Sequence, residues 1–384
     1  GKVKVQLSWG ENILKKQVRL KPQRHWELYY IPFSHQDIGY THTQPVTAEI
    51  QSKNLEDVLD YMNIDPDFRW TVETLWQADQ LFQRQGKTRR AELMARIKEG
   101  RISLSPTWTN SFTGQLSEEE AFWSLEPALQ LMQKEGVSFP AFLYNDTPGI
   151  SWLWPGLLEQ MGTHFLFAGI NEVYSGYSLQ TNLPKLFRWQ GGDGSEVVTF
   201  ISETYNEGLA HGLEKDPTAM VPLIAEQLQR LEDRGWKYDH VALVTSFLDN
   251  GGVPKTQIGN IKAWNALFAW PRFVVATAGD YVKKLEGEDL SKLPVLTGDW
   301  TSPWETRSQG EPARMLLQRE AQLLAPAAEK QNIVNWLEGR LEQVDTLAVQ
   351  KIYQSLLDYS GHGSGLESGY GSRDDNLLAS SYRD

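Results

Sequence analysis

Short apolar runs alternate with amphipathic segments between residue 26 and about residue 283. The run "WELYYIPF" (26–33) is rich in aromatic and β-prone residues, which is typical of a buried strand. In the segment that follows, apolar residues recur at three- and four-residue steps: Ile50, Leu55, Val58, Leu59 and Met62. This spacing places them on one face of a helix, so the pattern predicts a strand followed by a helix.

The same alternation continues along the chain. Further strands are predicted within residues 68–76, 101–108, 139–146, 163–169, 240–250 and 272–279, with helices between most of them. The predicted helix 117–136 opens with a capping-box pattern, Ser117 followed by Glu120, and residues 186–205 indicate a hairpin that turns at Gly-Asp-Gly. About seven strand–helix units predict an α/β fold, a (β/α)7-type barrel whose parallel strands are buried on both faces.

The pattern divides the chain into four regions. Residues 1–25 are predicted to be a β fragment or lead-in, 26–290 the barrel domain, and 291–312 a linker rich in Pro, Gly and Trp. Residues 313–384 are predicted to form a small helical bundle followed by a glycine-rich tail. The bundle is inferred from one apolar stripe of helical spacing: Leu337, Leu341, Val344, Ala348, Ile352 and Leu356.

Composition narrows the function classes. The net charge is −12 and the pI is about 5.2, so a nucleic-acid partner is not expected, because phosphate binding needs a positive surface. No apolar run reaches the length of a membrane span, and the mean hydropathy is −0.45. The absence of cysteine excludes disulfides and thiolate metal sites, but it leaves the cellular compartment and the oligomeric state open.

Polar residues end several of the predicted strands. In a parallel barrel the loops after the strands gather at one face, and that face carries the active site. The residues found there are His35, Asp37, Asp146 and Asp249, with Glu73 and Tyr205 as lesser candidates.

His35 and Asp37 lie two positions apart, and Gly39 follows them. Residues i and i+2 of a strand point to the same side, so an imidazole and a carboxylate can grip one divalent metal such as zinc. A hydrogen-bonded His–Asp surface pair is the alternative.

Each of the other candidates also has an ordinary structural explanation. Asp146 precedes Pro148 and could cap a helix, and Asp249 precedes a glycine pair and could form an Asx-turn. His362 lies among glycines beyond a predicted helix, where a solvated linker histidine is common. The shared placement of the carboxylates at strand ends favours a site, because unrelated aspartates would be scattered.

The order of these motifs resembles that of glycoside hydrolase family 38, the retaining α-mannosidases. "IPFSHQDIGYTHT" resembles the family's H-x-D-x-G-W segment, and "FLYNDTPGISWLWPGLLEQMG" resembles the segment that holds its catalytic aspartate. "VTSFLDNGGVP" is similar to its G-D-D-F-like strand end, and "LLDYSGHGSG" to the segment with its last zinc histidine. The resemblance covers roughly residues 26 to 370, and family members continue with a large β-rich region, so we expect a longer protein.

The resemblance implies one zinc ion per chain, and it assigns roles to named residues. The implied zinc ligands are His35, Asp37, Asp146 and His362, with Asp146 also the nucleophile and Asp249 the general acid/base. Tyr40 stands where the family has a tryptophan and Asn250 where it has a second aspartate. The candidates for contact with the sugar are Tyr40, Trp108, Tyr205 and Trp304, and Trp152, Trp154 and Trp300 are further candidates for stacking.

The function implied is a zinc-dependent retaining hydrolase that removes terminal α-mannosyl residues from glycans, its carbohydrate partner. Two alternatives remain open at this point. A metal-dependent carbohydrate deacetylase would need a second histidine nearby, for which His42 is the local candidate. A barrel that binds sugar without turnover is the other alternative.

Overall fold

The structure of the chain is a computed structural model that describes residues 2–19, 24–39, 41–147, 149–171, 183–300 and 312–362. Two of the predicted sugar-contacting residues, Tyr40 and Trp304, lie outside these ranges, as does the glycine-rich tail after His362. None of the described helices is both long and apolar enough to cross a lipid bilayer.

The described residues alternate strands and helices much as the sequence pattern predicts. The strands are β1 (Lys2–Trp9), β2 (Asn12–Arg19), β3 (Glu27–His35), β4 (Trp70–Val72), β5 (Ile102–Leu104), β6 (Phe142–Asp146), β7 (Phe165–Ile170), β8 (Leu186–Gln190), β9 (Glu196–Ile201), β10 (His240–Asp249), β11 (Arg272–Val275) and β12 (Val295–Thr297). The helices are α1 (Gln44–Ile64), α2 (Leu75–Lys98), α3 (Glu118–Trp123), α4 (Glu126–Glu135), α5 (Trp154–Gln160), α6 (Glu207–Ala210), α7 (Pro217–Asp233), α8 (Lys255–Leu267), α9 (Ala278–Glu286), α10 (Pro312–Leu337) and α11 (Thr346–Tyr359).

The strands form four hydrogen-bonded sheets within the described ranges. β3 lies between β10 and β11 and is parallel to both, and β4 is parallel to β5. A five-stranded sheet has the order β12-β8-β9-β7-β6, in which β8 and β9 are antiparallel and the other neighbours are parallel. The hairpin predicted over 186–205 is therefore an integral part of a sheet. This is a mixed α/β fold, as the alternation predicted.

The strands that carry the candidate residues are buried along nearly their whole length. In β3, Tyr30, Ile31 and Phe33 have no exposed surface, and β10 is equally buried from Val241 to Val244. A parallel strand covered on both faces needs such a continuous apolar run. Because β3 and β10 are parallel neighbours, their carboxyl ends, His35 and Asp249, lie side by side.

The segment 117–136 forms two helices instead of the single helix predicted. Ser117 and Glu120 form the expected capping box at the start of α3. The helix ends after Trp123, and α4 starts at Glu126 with Pro127 in its first turn. Proline cannot donate a backbone hydrogen bond and its ring clashes with the preceding turn, which favours a break at this point. Longer helices accommodate a proline, as α7 does at Pro222 and α10 at Pro326.

The C-terminal region contains α10 and α11, which pack together around Ala325, Val349 and Tyr353. The Tyr353 ring also stacks on Trp123, which fastens α11 to α3. The predicted apolar stripe is only partly buried: Leu356 is buried, whereas Leu337 and Leu341 are exposed. The helix ends before Gly339, whose φ of 73° interrupts the helical spacing on which that stripe depended.

Candidate metal centre and catalytic carboxylates

His35, the last residue of β3, is completely buried at the carboxyl end of the strand. Its Nδ1 lies 3.0 Å from Oε1 of Glu73 and 3.2 Å from Oε2. A carboxylate can only accept, so Nδ1 carries the proton and donates it to Glu73. The lone pair of a neutral imidazole is then on Nε2, which points toward the other candidate residues.

His362 comes to the same place from the other end of the chain. It follows α11, and both its backbone N–H and its Nδ1 donate to the carbonyl oxygen of Asn110, at 3.0 and 2.8 Å. Its Nε2 lies 3.1 Å from Nε2 of His35. The two imidazoles therefore present their unprotonated nitrogens to one point, and His362 is no solvated linker residue.

Asp146 is the third member of this cluster and ends β6. Its Oδ2 lies 3.3 Å from Nε2 of His362 and 3.9 Å from Nε2 of His35, while Oδ1 accepts a hydrogen bond from Asn171. The φ of Asp146 is +68°, a left-handed conformation that aspartate tolerates better than most residues. Burial raises the pKa of Asp146, but when both imidazoles are protonated the hydrogen bond and charge of His362 and the charge of His35 outweigh it and lower the pKa.

Asp37 lies at the edge of the cluster, with Oδ1 3.9 Å from Nε2 of His362. Burial raises its pKa above the ordinary value, and the nearby Asp249 and Asp146 charges add to the effect. Asn250 holds the backbone of Asp37 on both sides, because its Oδ1 accepts from the Asp37 N–H and its Nδ2 donates to the Asp37 carbonyl. An aspartate at position 250 could not donate the second of these hydrogen bonds.

The donor set fits a divalent ion. One ligand atom from each of His35, Asp146 and His362 lies within 4.8 Å of the others. Zinc binds imidazole nitrogen and carboxylate oxygen at about 2.0–2.2 Å, so two ligand atoms of one ion lie at most about 4.4 Å apart. The three separations here, 3.1, 3.3 and 3.9 Å, are within this limit. Two facing lone pairs and two carboxylates repel each other unless a cation lies between them. Three of the four implied ligands thus form a tight group, with Asp37 beside it.

Asp249 lies at the end of β10, in register with His35 on the neighbouring strand. The hydroxyl of Tyr205 donates to Oδ1 of Asp249 at 2.9 Å, and the Tyr205 ring lies 4.6 Å from the His35 ring. Burial, together with the charges of Asp146 and Asp249, raises the pKa of Tyr205, so its hydroxyl stays protonated as a donor. The two candidate catalytic carboxylates therefore flank one tyrosine at the same end of the sheets.

The described tryptophans differ in their surroundings. Trp108 is 5% exposed, and its indole N–H donates to Asp358 at 2.7 Å beside a cavity of about 440 Å³. Trp154 is buried in the core, and Trp300 stacks on Trp189. Trp152 is 40% exposed.

His42, the histidine that a deacetylase would need, is exposed and contacts Thr41. It does not belong to the cluster of His35, Asp146 and His362.

Several residues hold the candidate ligands in place, but the sequence shows only that they are polar and does not indicate this role. Asn110 holds His362, Asn145 contacts Glu73, and Asn250 holds Asp37. Glu73 lies in the predicted strand 68–76 and is a lesser candidate in the sequence, but nothing in that segment indicates His35 as its partner. An asparagine beside an apolar strand is the one feature that could have drawn attention to Asn145 and Asn250.

The fold and the site together define an α/β protein that gathers imidazoles and carboxylates at the ends of parallel strands to form a candidate metal centre. Residues 25–307 match the model of the glycosyl hydrolases family 38 N-terminal domain, and the chain belongs to this family. The resemblance found in the sequence is thereby confirmed. No curated protein matches the sequence.

Solved structures show the same fold. An alpha-mannosidase from Enterococcus faecalis is similar with a TM-score of 0.73 and 16% identity, over 93% of this chain and 41% of that one. A second family 38 protein from Enterococcus faecalis gives a TM-score of 0.65 and 15% identity, over 94% and 39%. A 4-alpha-glucanotransferase from Thermococcus litoralis gives 0.52 and 12%, over 87% and 55%. The chain thus spans about two fifths of the length of the two family 38 proteins.

Proposed function

We propose that this protein is a zinc-dependent retaining glycoside hydrolase that removes terminal α-mannosyl residues from glycans. The observation that carries the proposal is the meeting of His35 Nε2, His362 Nε2 and Asp146 Oδ2 within 4.8 Å of one another. Membership of family 38 supports glycoside hydrolysis, and the alpha-mannosidase of similar fold supports mannose as the sugar. We further propose that the strands close into a (β/α)7-type barrel, with a helical bundle after it.

The proposed metal ligands are His35, Asp37, Asp146 and His362. Bound zinc would supply a positive charge at which two neighbouring sugar hydroxyls are held, and this charge favours distortion toward the transition state. The chain itself supplies the remaining chemistry. Glu73 and Asn110 keep the imidazoles in place, and Asn171 holds the oxygen of Asp146 that does not face the histidines.

Retention of configuration requires two carboxyl groups with different roles. In the first step an oxygen of Asp146 attacks the anomeric carbon while the glycosidic C–O bond breaks, and Asp249 donates its proton to the leaving oxygen. In the second step Asp249 accepts a proton from water, whose oxygen attacks the same carbon and releases Asp146. The positive charge of a bound metal would keep the Asp146 carboxylate ionised for the first step.

Turnover of an aryl α-mannoside tests the proposal, with an aryl β-mannoside and an aryl α-glucoside as controls. We expect hydrolysis of the α-mannoside alone, loss of turnover after chelation, and recovery on addition of zinc. Unchanged turnover in metal-free protein would refute the role of the metal.

The variants Asp249→Ala and His42→Ala separate the roles of the residues. Asp249→Ala should retain more turnover on substrates with good leaving groups, because these need less protonation, than on those with poor ones. His42→Ala alters an exposed side chain outside the cluster and should behave as wild type. An equal loss on both kinds of substrate would contradict Asp249 as the acid.

A further inference from the structure

Glu73 is a completely buried carboxylate that follows β4 and is not one of the proposed metal ligands. Its two oxygens accept hydrogen bonds from His35 Nδ1, from the backbone N–H of Gln36 at 2.6 Å and from Asn145 Nδ2 at 2.7 Å. Among the described residues, His35 is the one basic side chain that pairs with it. Burying a charge is costly unless it is fully hydrogen-bonded, so a carboxylate at this position calls for a specific role.

The first consequence of these contacts concerns the imidazole of His35. Because Glu73 accepts the Nδ1 proton, it selects the form of the neutral ring whose lone pair is on Nε2. A carboxylate also draws electron density toward Nε2 more strongly than the neutral carbonyl of Asn110 does at His362. His35 is therefore the imidazole whose strength as a ligand depends most on its hydrogen-bonding partner.

The second consequence concerns the distance between two strand ends. His35 ends β3, and Asn145 directly precedes Asp146 at the end of β6. Oε1 of Glu73 accepts from both His35 and Asn145, so one atom connects the two strands that supply two of the ligands. The order of the sheets does not place β3 next to β6, and Glu73 bridges them.

Glu73 is itself held in place. Oε1 of Gln77 accepts from the backbone N–H groups of Glu73 and Thr74, and Nε2 of Gln77 donates to the carbonyl oxygen of Ser34 at 2.8 Å. The backbone of Glu73 is thereby fixed against β3 by a second, independent contact. A rigid outer partner of this kind orients a ligand before any ion binds.

We propose that Glu73 is the positioning residue of the metal centre: it fixes the ring form and direction of His35 and sets the spacing of His35 from Asp146. This inference rests on the proposed metal site. It predicts that the affinity for zinc depends on the negative charge of Glu73 although Glu73 does not touch the ion.

The test is the dissociation constant for zinc alone, measured by competition with a chromophoric chelator. Glu73→Gln keeps the size of the side chain and an acceptor for Nδ1, and we expect it to weaken zinc binding by about 10- to 100-fold. Glu207→Gln is the matched control, because Glu207 is also completely buried and accepts two backbone N–H groups, from Glu203 and Val244, away from the cluster. The control should leave the dissociation constant unchanged.

A double-mutant cycle distinguishes positioning from a general packing effect. In a His35→Ala background Glu73 has no imidazole to orient, so adding Glu73→Gln should cause little further loss of affinity. The same loss in both backgrounds would overturn the proposed role, as would wild-type affinity in the single Glu73→Gln variant. A wild-type protein that binds no zinc would overturn the metal site itself and this inference with it.

Discussion

Gly169 lies in β7 opposite Asn145 of β6, where an added side chain would clash with Asn145 and Tyr205. A Cβ added at Gly169 would overlap Oδ1 of Asn145 and would lie 2.9 Å from both Cα and Cβ of Tyr205. The Tyr205 contact includes backbone, which cannot swing aside as the end of a flexible side chain can. Gly169→Ala should therefore displace Asn145 and shift Tyr205 away from Asp249.

Two contributions, overpacking and a lost hydrogen bond, determine how much Gly169→Ala destabilises the protein. Overpacking a well-filled core costs typically about 1–3 kcal/mol. Displacement of Asn145 also breaks its hydrogen bond to the Glu73 carboxylate, and hydrogen bonds to charged groups contribute about 1.5–3 kcal/mol. We expect Gly169→Ala to lower the free energy of unfolding by at least the overpacking cost of about 1–3 kcal/mol. The variant should also bind zinc more weakly, because Asn145 directly precedes the proposed ligand Asp146.

Gly259→Ala is the matched control and should have the opposite sign. Gly259 lies inside α8, is exposed, and has no atom within 4 Å of an added Cβ. Alanine there should stabilise the protein by about 0.5–1 kcal/mol, since glycine loses more backbone entropy in a helix. Urea unfolding of the metal-free variants measures both changes. A Gly169→Ala protein as stable as wild type would refute the steric reasoning.

Two further predictions concern single hydrogen-bonding or titrating groups. Tyr205→Phe removes the donor to Asp249, which becomes a carboxylate as it gives up its proton. Since a hydrogen bond to a charged group contributes about 1.5–3 kcal/mol, kcat in the proposed hydrolysis of aryl α-mannosides should fall roughly 10- to 100-fold; an unchanged kcat would contradict this contact. Burial raises the pKa of Glu207 from 4.5 to about 7, so the folded state retains a proton that the unfolded state releases between these values. Wild type should therefore lose stability relative to Glu207→Gln as the pH rises from 4.5 to 7, by about 3 kcal/mol in total, and show no further change above pH 7. Urea unfolding at a series of pH values checks this, and a difference that grows toward acid pH would contradict it.

The parts of the fold that follow from local pattern could be predicted from the sequence. The alternation of apolar runs and amphipathic segments located most strands of the sheets, although β12 lies in the segment that was predicted to be a linker. Polar residues at strand ends pointed to His35, Asp146 and Asp249. The prediction from strand ends succeeds because parallel strands place their carboxyl ends on one side of the sheet. Residues that end different strands are therefore close together in space even when they are far apart in the sequence. His362 was found through the resemblance to a family, since nothing in its own segment indicates a partner.

Other features depend on contacts between distant segments, and no local pattern reports them. Glu73 meets His35 across 38 residues, and Asn250 meets Asp37 across 213. Trp108 is buried and donates a hydrogen bond to Asp358 in the last helix, 250 residues away, a contact that no local pattern around Trp108 indicates. The break at Pro127 is different, because the proline is a local signal, although the helical pattern on both sides of it predicts a single helix.

The contact between His35 and His362 joins positions 327 residues apart. A chain emerging from the ribosome can therefore form its sheets well before it has both imidazoles of the cluster, and the pocket is completed only when the segment after α11 docks on Asn110. An ion that binds the finished cluster would favour this docked arrangement over any opened one by mass action. Depletion of the ion should then loosen the segment after α11 first, before the core itself responds.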